Sequence, residues 1–171
     1  MVAETIFMLT LIAAALSCSL VAGMLLGFAI LVMPGLKTLD DAGFVRAFRA
    51  IDRVVQDRQR VFVLVWGGSL ASVVAAAVMG WSHLDGMWRL AVAGVAVAHL
   101  GGVHLPTMLV NVPLNDRLQA LRIESMDAAG FRQARRGFED RWNRWNVRRT
   151  VVAVLAALVL IMAAATACAG V

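Results

Sequence analysis

The chain has 171 residues, of which 61% are apolar, 16% are charged and two are cysteine, and its formal net charge is +5. Ordinary globular domains are roughly 45–50% apolar, and sparse charge, aperiodic Gly and few Cys exclude a disordered segment, a collagen repeat and a disulfide scaffold. A mean hydropathy of +0.78 calls for an apolar solvent, and a bilayer meets that need if the apolar residues come in spans.

Four uncharged stretches meet the condition. Thr5–Met33, Val61–Leu84, Leu90–Asn115 and Thr150–Val171 hold 29, 24, 26 and 22 residues. About 20 apolar residues at 1.5 Å rise cross a hydrocarbon core of roughly 30 Å. Each must be helical, because lipid offers no partners for open backbone groups. The fold class is therefore an all-α, four-helix transmembrane bundle forming one integral membrane domain, 1–171. Its spans are expected at about 5–33, 61–82, 89–110 and 150–170, with long loops at 34–60 and 111–149. Pro34-Gly35 is expected to end the first span, and Asn111 with Pro113 to end the third near Val110.

Met1–Glu4 has no cationic stretch and the first apolar run is too long for a signal peptide, so this span is expected to be permanent. Residues 37–60 carry six basic and four acidic side chains, and residues 111–149 carry nine and five; together they hold 15 of the 16 Lys and Arg. The positive-inside rule places both loops in the cytoplasm and both termini outside. Fifteen Arg to one Lys, with abundant Ala and Val, suggest a GC-rich bacterial genome and hence an inner membrane. Mixed charge beside the membrane argues against nucleic acid as a partner.

The loops themselves read as amphipathic helices. Asp40 or Asp41 can cap a helix whose Phe44, Val45, Phe48, Ile51, Val54 and Val55 recur at helical spacing among Arg46, Arg49, Asp52, Arg53 and Asp57. Such a helix lies on the bilayer or on the neighbouring loop. In the second loop, Asn115 or Asp116 can cap a short helix through Arg122, and Glu124–Gly130 breaks the pattern. Phe131, Phe138, Trp142 and Trp145 then mark one face of a helix that runs into the fourth span. Trp142 and Trp145 suit the headgroup level on that side, as Trp81 and Trp88 do on the other.

His99 and His104 are the histidines within a span. Five residues on an α-helix subtend about 500°, so the rings are expected some 140° apart unless Gly101, Gly102 and Pro106 distort the helix. No cofactor is expected; a haem or metal held by either ring is the alternative to a neutral pair hydrogen-bonding between helices. His83 reads as a solvated loop residue. Cys18 and Cys168 lie at different depths and are not expected to pair. Gly23-x-x-x-Gly27 allows close helix approach, and small residues in every span permit a homo-oligomer.

Asn111, Asn115, Trp145, Asn146, Arg149 and Thr150 all fall at the loop ends of the third and fourth spans. Amides and a guanidinium beside an apolar cavity can hold an enolate-like oxygen or a quinone carbonyl. The same groups can instead cap helices and tie the loop to the bundle, and spacing leaves both readings open.

Asn111-Val112-Pro113-Leu114-Asn115, followed by Trp142-x-x-Trp145-Asn146-x-x-Arg149-Thr150, resembles the anthrone oxygenase-like family of small four-span membrane proteins. The resemblance extends to a first span ending in Met33-Pro34 and to the loop helix after it. It implies oxidation of an anthrone to an anthraquinone with molecular oxygen, acting on a hydrophobic aromatic substrate. Members often carry Asn where this chain has Asp52, and His where it has Val147. Deprotonating the acidic CH₂ needs a base, an oxyanion donor and a dry aromatic pocket. In this chain Asp52, or water held by Asn111, can serve as the base, and Arg149 with Asn115 or Asn146 as the oxyanion donors. Trp145, Trp142, Thr150 and Pro34 are the corresponding substrate-contacting positions. A non-enzymatic membrane subunit, a small-molecule binder and a haem protein are the other functions open to the chain.

Overall fold

The computed structural model describes residues 1–57 and 59–169, so Arg58 in the first loop and Gly170 and Val171 at the end of the fourth expected span lie outside the described residues. Five helices account for nearly all of them: α1 (Val2–Lys37), α2 (Asp41–Gln56), α3 (Arg60–His83), α4 (Gly86–Gln119) and α5 (Ala128–Ala169). Four of these, α1, α3, α4 and α5, are long and apolar enough to cross a bilayer, and no strand occurs among the described residues. The chain is an all-α bundle. At 42 residues, α5 is about 63 Å long, roughly twice a hydrocarbon core, so its first half stands clear of the spans.

Small side chains recur in the bundle interior, beside Phe7, Leu11 and Leu160. Ala14, Ala76, Ala153, Ala156 and Ala163 are buried, whereas Leu9, Leu16, Leu64, Leu155 and Met162 are exposed on the outside. Buried alanines with many large apolar side chains left outside suit a lipid solvent, in which helices associate through close packing. The tightest approach is at Gly102 in α4, where an added Cβ would lie 2.9 Å from Val152 Cγ1 of α5. Gly23 and Gly27 do not serve this purpose, since nothing lies within 4 Å of a Cβ placed at either.

Two helices continue past the residues expected to end them. Helix α1 runs past Pro34-Gly35 to Lys37, and α4 runs past Asn111 and Pro113 to Gln119. The reason lies in π-helical turns at Phe28–Val32, Leu100–His104 and Thr107–Asn111. In each, the residue just before a proline (Met33, Leu105, Val112) donates its N–H five residues back, to Phe28, Leu100 and Thr107. All three prolines of the chain thus follow a widened turn. A proline ring in a regular helix strikes the carbonyl four residues earlier and lacks a donor for it; widening the preceding turn moves that carbonyl aside, and the helix continues. The expected cap at Asn115 or Asp116 is consequently interior to α4.

At the loop end, Asp40 caps α2 by accepting from Gly43 N at 2.7 Å. The apolar stripe of α2 (Phe44, Val45, Phe48) packs on Leu114 and Leu118 of α4 and on Phe131, Phe138 and Trp142 of α5. Trp142 is therefore a core residue, 5% exposed, and not a headgroup anchor. Helix C-termini end in orphan carbonyls, and arginines from neighbouring helices take them. Arg49 of α2 donates to Gln119 O and Leu121 O, and Arg135 of α5 to Lys37 O and Leu39 O.

Candidate active site

All five helices contribute to a cavity of about 230 Å³ at the junction of the spans and the loop layer. Its walls are aromatic and apolar, with Leu25 and Phe28 from α1, Phe48 from α2, Phe62 and Trp66 from α3 and Trp142 from α5. Phe62 and Trp66 stack on one side, with ring centroids 5.7 Å apart. Phe28 and Phe48 flank Trp142 on the other, at 5.6 and 5.5 Å. The polar lining comes from Asp52, Thr107, Asn111, Asn115, Asn146 and Arg149.

Steps of four and three place Trp142, Asn146 and Arg149 on one face of α5. Arg149 is 3% exposed. Its Nη1 donates to Thr107 Oγ1 at 2.7 Å and its Nη2 to Asn146 Oδ1 at 3.0 Å. Both partners are neutral, the Nε–H has no partner, and no carboxylate ion-pairs with Arg149 among the described residues. Asn146 is itself held by donating to Leu25 O of α1 at 3.1 Å. A buried, uncompensated guanidinium is costly, and an anionic oxygen in the cavity would relieve it.

Asp52 presents the opposite case. Its Oδ1 accepts from Asn115 Nδ2 at 2.7 Å, and its Oδ2 from Gln56 Nε2 at 2.8 Å and Gln119 Nε2 at 2.9 Å. A carboxylate offers about four lone-pair sites, so one on Oδ1 stays free. Burial pushes the Asp52 carboxyl above its ordinary value of 3.8, while the three amide donors pull it part of the way back. Asn115 joins the two halves of the site, because its Oδ1 accepts from Trp142 Nε1 at 2.9 Å. Asn111 donates weakly to Trp142 O at 3.4 Å, and its buried Oδ1 has no partner.

The cavity thus gathers Asp52, Asn111, Asn115, Trp142, Asn146 and Arg149, and it leaves out three other candidates. Trp145 is half-buried under the Arg148 guanidinium, 5.0 Å from its ring centroid. Thr150 turns back to donate to Asn146 O at 2.8 Å, and Pro34 is exposed. Val147 is also exposed and does not line this cavity.

The two intramembrane histidines depart furthest from expectation. Their ring centroids lie 4.9 Å apart, because the π turn at Leu100–His104 adds residues per turn and swings His104 back over His99. Both Nε2 atoms meet one hydroxyl, Ser69 Oγ, at 3.1 and 3.4 Å. Cys18 Sγ lies 3.9 Å from His99 Nε2, and His104 packs on Trp66 at 5.0 Å. Among the described residues no group of three His, Cys, Asp or Glu side chains is placed to share a metal ion. Cys18 and Cys168 are both free thiols. His83 closes α3 and stacks on Phe7 at 5.0 Å rather than standing in solvent.

Residues 53–159 match the family described as anthrone oxygenase. The chain belongs to the anthrone oxygenase family. The matched stretch contains Asn111, Asn115, Trp142, Asn146 and Arg149 and begins one residue after Asp52. No curated protein and no solved structure matches the chain. Three residues that line the cavity, and Gln119, which holds Asp52 from behind it, carried little signal. Gln119 continues the four-residue stripe of Asn111 and Asn115, and that stripe counts only if α4 passes through Pro113. Thr107, Phe62 and Trp66 sit in apolar spans where nothing local distinguishes them.

Proposed function

We propose that this member oxidises a flat, hydrophobic aromatic ketone of the anthrone type to a quinone, using dioxygen. The observation that carries the reading is the buried Arg149 guanidinium, without a carboxylate partner, facing an aromatic-walled cavity that also holds the Asp52 carboxylate. A volume of about 230 Å³ falls below the range of drug-sized pockets and suits a rigid fused-ring compound.

In this reading Asp52 Oδ1 takes a proton from the ring CH₂, and Arg149 stabilises the negative charge that develops on the ketone oxygen. The resulting enolate reduces dioxygen and forms a carbon–oxygen bond, and the Asp52 proton passes to the distal oxygen to give a hydroperoxide. Loss of the second C–H proton with O–O cleavage leaves a new carbonyl and expels water. One dioxygen is consumed, one oxygen enters the ketone, the other leaves as water, and no further reductant is required.

The basic loops favour an inner-membrane orientation with this end of the bundle in the cytoplasm. The test is dioxygen uptake by purified protein in lipid nanodiscs supplied with an anthrone. Uptake above that of empty nanodiscs, at one dioxygen per quinone formed, supports the proposal; a rate equal to empty nanodiscs removes it.

A further inference from the structure

Outside the cavity, α5 carries a second organised surface. Arg141, Arg144, Arg148, Val151, Leu155 and Leu158 follow one another at alternating steps of three and four residues, so they form a single stripe, and all six are exposed. The stripe changes character once, from three guanidiniums to three apolar side chains. None of the three arginines has an ion-pair partner among the described residues; on the same helix, Arg132 and Arg135 are the ones paired, with Asp41 and Glu139. The Arg148 guanidinium lies over the Trp145 ring, at the level where amphipathic rings and snorkelling cations mark the membrane boundary.

We propose that this stripe is a binding site for an anionic phospholipid, with its phosphate held by Arg144 and Arg148 and its acyl chain laid along Val151, Leu155 and Leu158. The dimensions agree. A headgroup layer is about 5–7 Å deep in each leaflet, and Arg144 and Arg148 are separated along the helix by about 6 Å. Arg141, another turn out, adds long-range attraction. A second copy of the chain is a poorer occupant. In a parallel pair it would set Arg against Arg, and in an antiparallel pair it would push guanidiniums into hydrocarbon. Three cations near the surface predict a preference of about 10²-fold over a zwitterionic lipid.

The experiment uses the full chain reconstituted with trace phosphatidylglycerol or phosphatidylcholine bearing brominated acyl chains. Quenching of Trp145 fluorescence, taken as the difference from Trp145→Phe, reports which lipid occupies the stripe. Phosphatidylglycerol is expected to quench at far lower mole fraction, and the preference should vanish in Arg141→Gln/Arg144→Gln/Arg148→Gln and weaken in salt. Equal quenching by the two lipids in the unmodified protein overturns the proposal. So does efficient disulfide cross-linking of Leu155→Cys between two copies, which would show that protein covers the stripe.

Discussion

Asp52→Asn separates a catalytic carboxylate from a structural one. The substitution keeps the shape and, through its one amide oxygen, the hydrogen bonds from Gln56 and Gln119, but it gives up the acceptor for Asn115 and removes the base. A positioned general base contributes typically 10²–10⁴-fold, so the enzyme-dependent rate of anthrone oxidation should fall by at least about 10²-fold. The pH profile supplies an independent readout. The working form is the carboxylate, and burial raises its pKa above 3.8. In the unmodified protein kcat/KM should therefore fall as pH drops through that raised value, above where a solvated Asp would titrate. Asp52→Asn should lose this acid limb. The stability sign is opposite: a raised folded-state pKa means that folding loses stability as pH rises from 3.8 through the raised value. The variant should thus keep its Tm in detergent at neutral pH. Initial rates corrected for the uncatalysed reaction, measured across pH, decide the matter. A variant within threefold of the unmodified rate, or one with the same acid limb, would refute the assignment of Asp52 as base.

Ser69→Ala removes the hydroxyl that both His99 and His104 address. Interhelical hydrogen bonds in membrane proteins average about 0.6 kcal/mol and reach about 1.7, so the loss should be about 1–3 kcal/mol in unfolding experiments in mixed micelles, and smaller in a His104→Phe background; a cost equal in both backgrounds would contradict the shared-hydroxyl geometry. Gly102→Ala puts a Cβ 2.9 Å from Val152 Cγ1 and should destabilise by about 1–3 kcal/mol. Val152→Ala should recover much of that loss, and failure of the double variant to do so would show that the two helices do not meet there. Replacing Pro113 by Ala should leave α4 helical through Gln119 with a narrower turn at Thr107–Asn111, shifting Asn111 and raising KM for the aromatic substrate, whereas an unchanged KM would detach the π turn from the site.

The spans were legible because composition leaves an apolar, uncharged helix few alternatives to a bilayer. The Asp40 cap and the Phe44–Phe48 stripe were legible because they follow local rules of capping and spacing. What local rules could not supply was the response of a helix to proline. Read residue by residue, Pro34 and Pro113 end helices; in the bundle, neighbouring helices hold the chain in register, and a π turn before each proline costs less than breaking the packing. That single effect accounts for the misjudged ends of α1 and α4, for the histidines meeting on one face, and for Gln119 joining Asn111 and Asn115. Within the site, Asn146 and Arg149 were legible as a pair, since three residues on a helix share a side. The inward turn of Trp142, against the half-buried position of Trp145, depends on where α2 docks, which no spacing on α5 records.

The proposed chemistry requires Arg149 to meet an oxygen that becomes negative during the reaction. Arg149→Lys keeps the charge but gives up the fork that reaches Thr107 and Asn146. Measured as dioxygen uptake with an anthrone in nanodiscs, with folding checked by an unchanged Tm, the enzyme-dependent rate should fall by about 10²–10³-fold. An Arg149→Lys protein that consumes dioxygen at the unmodified rate would contradict it.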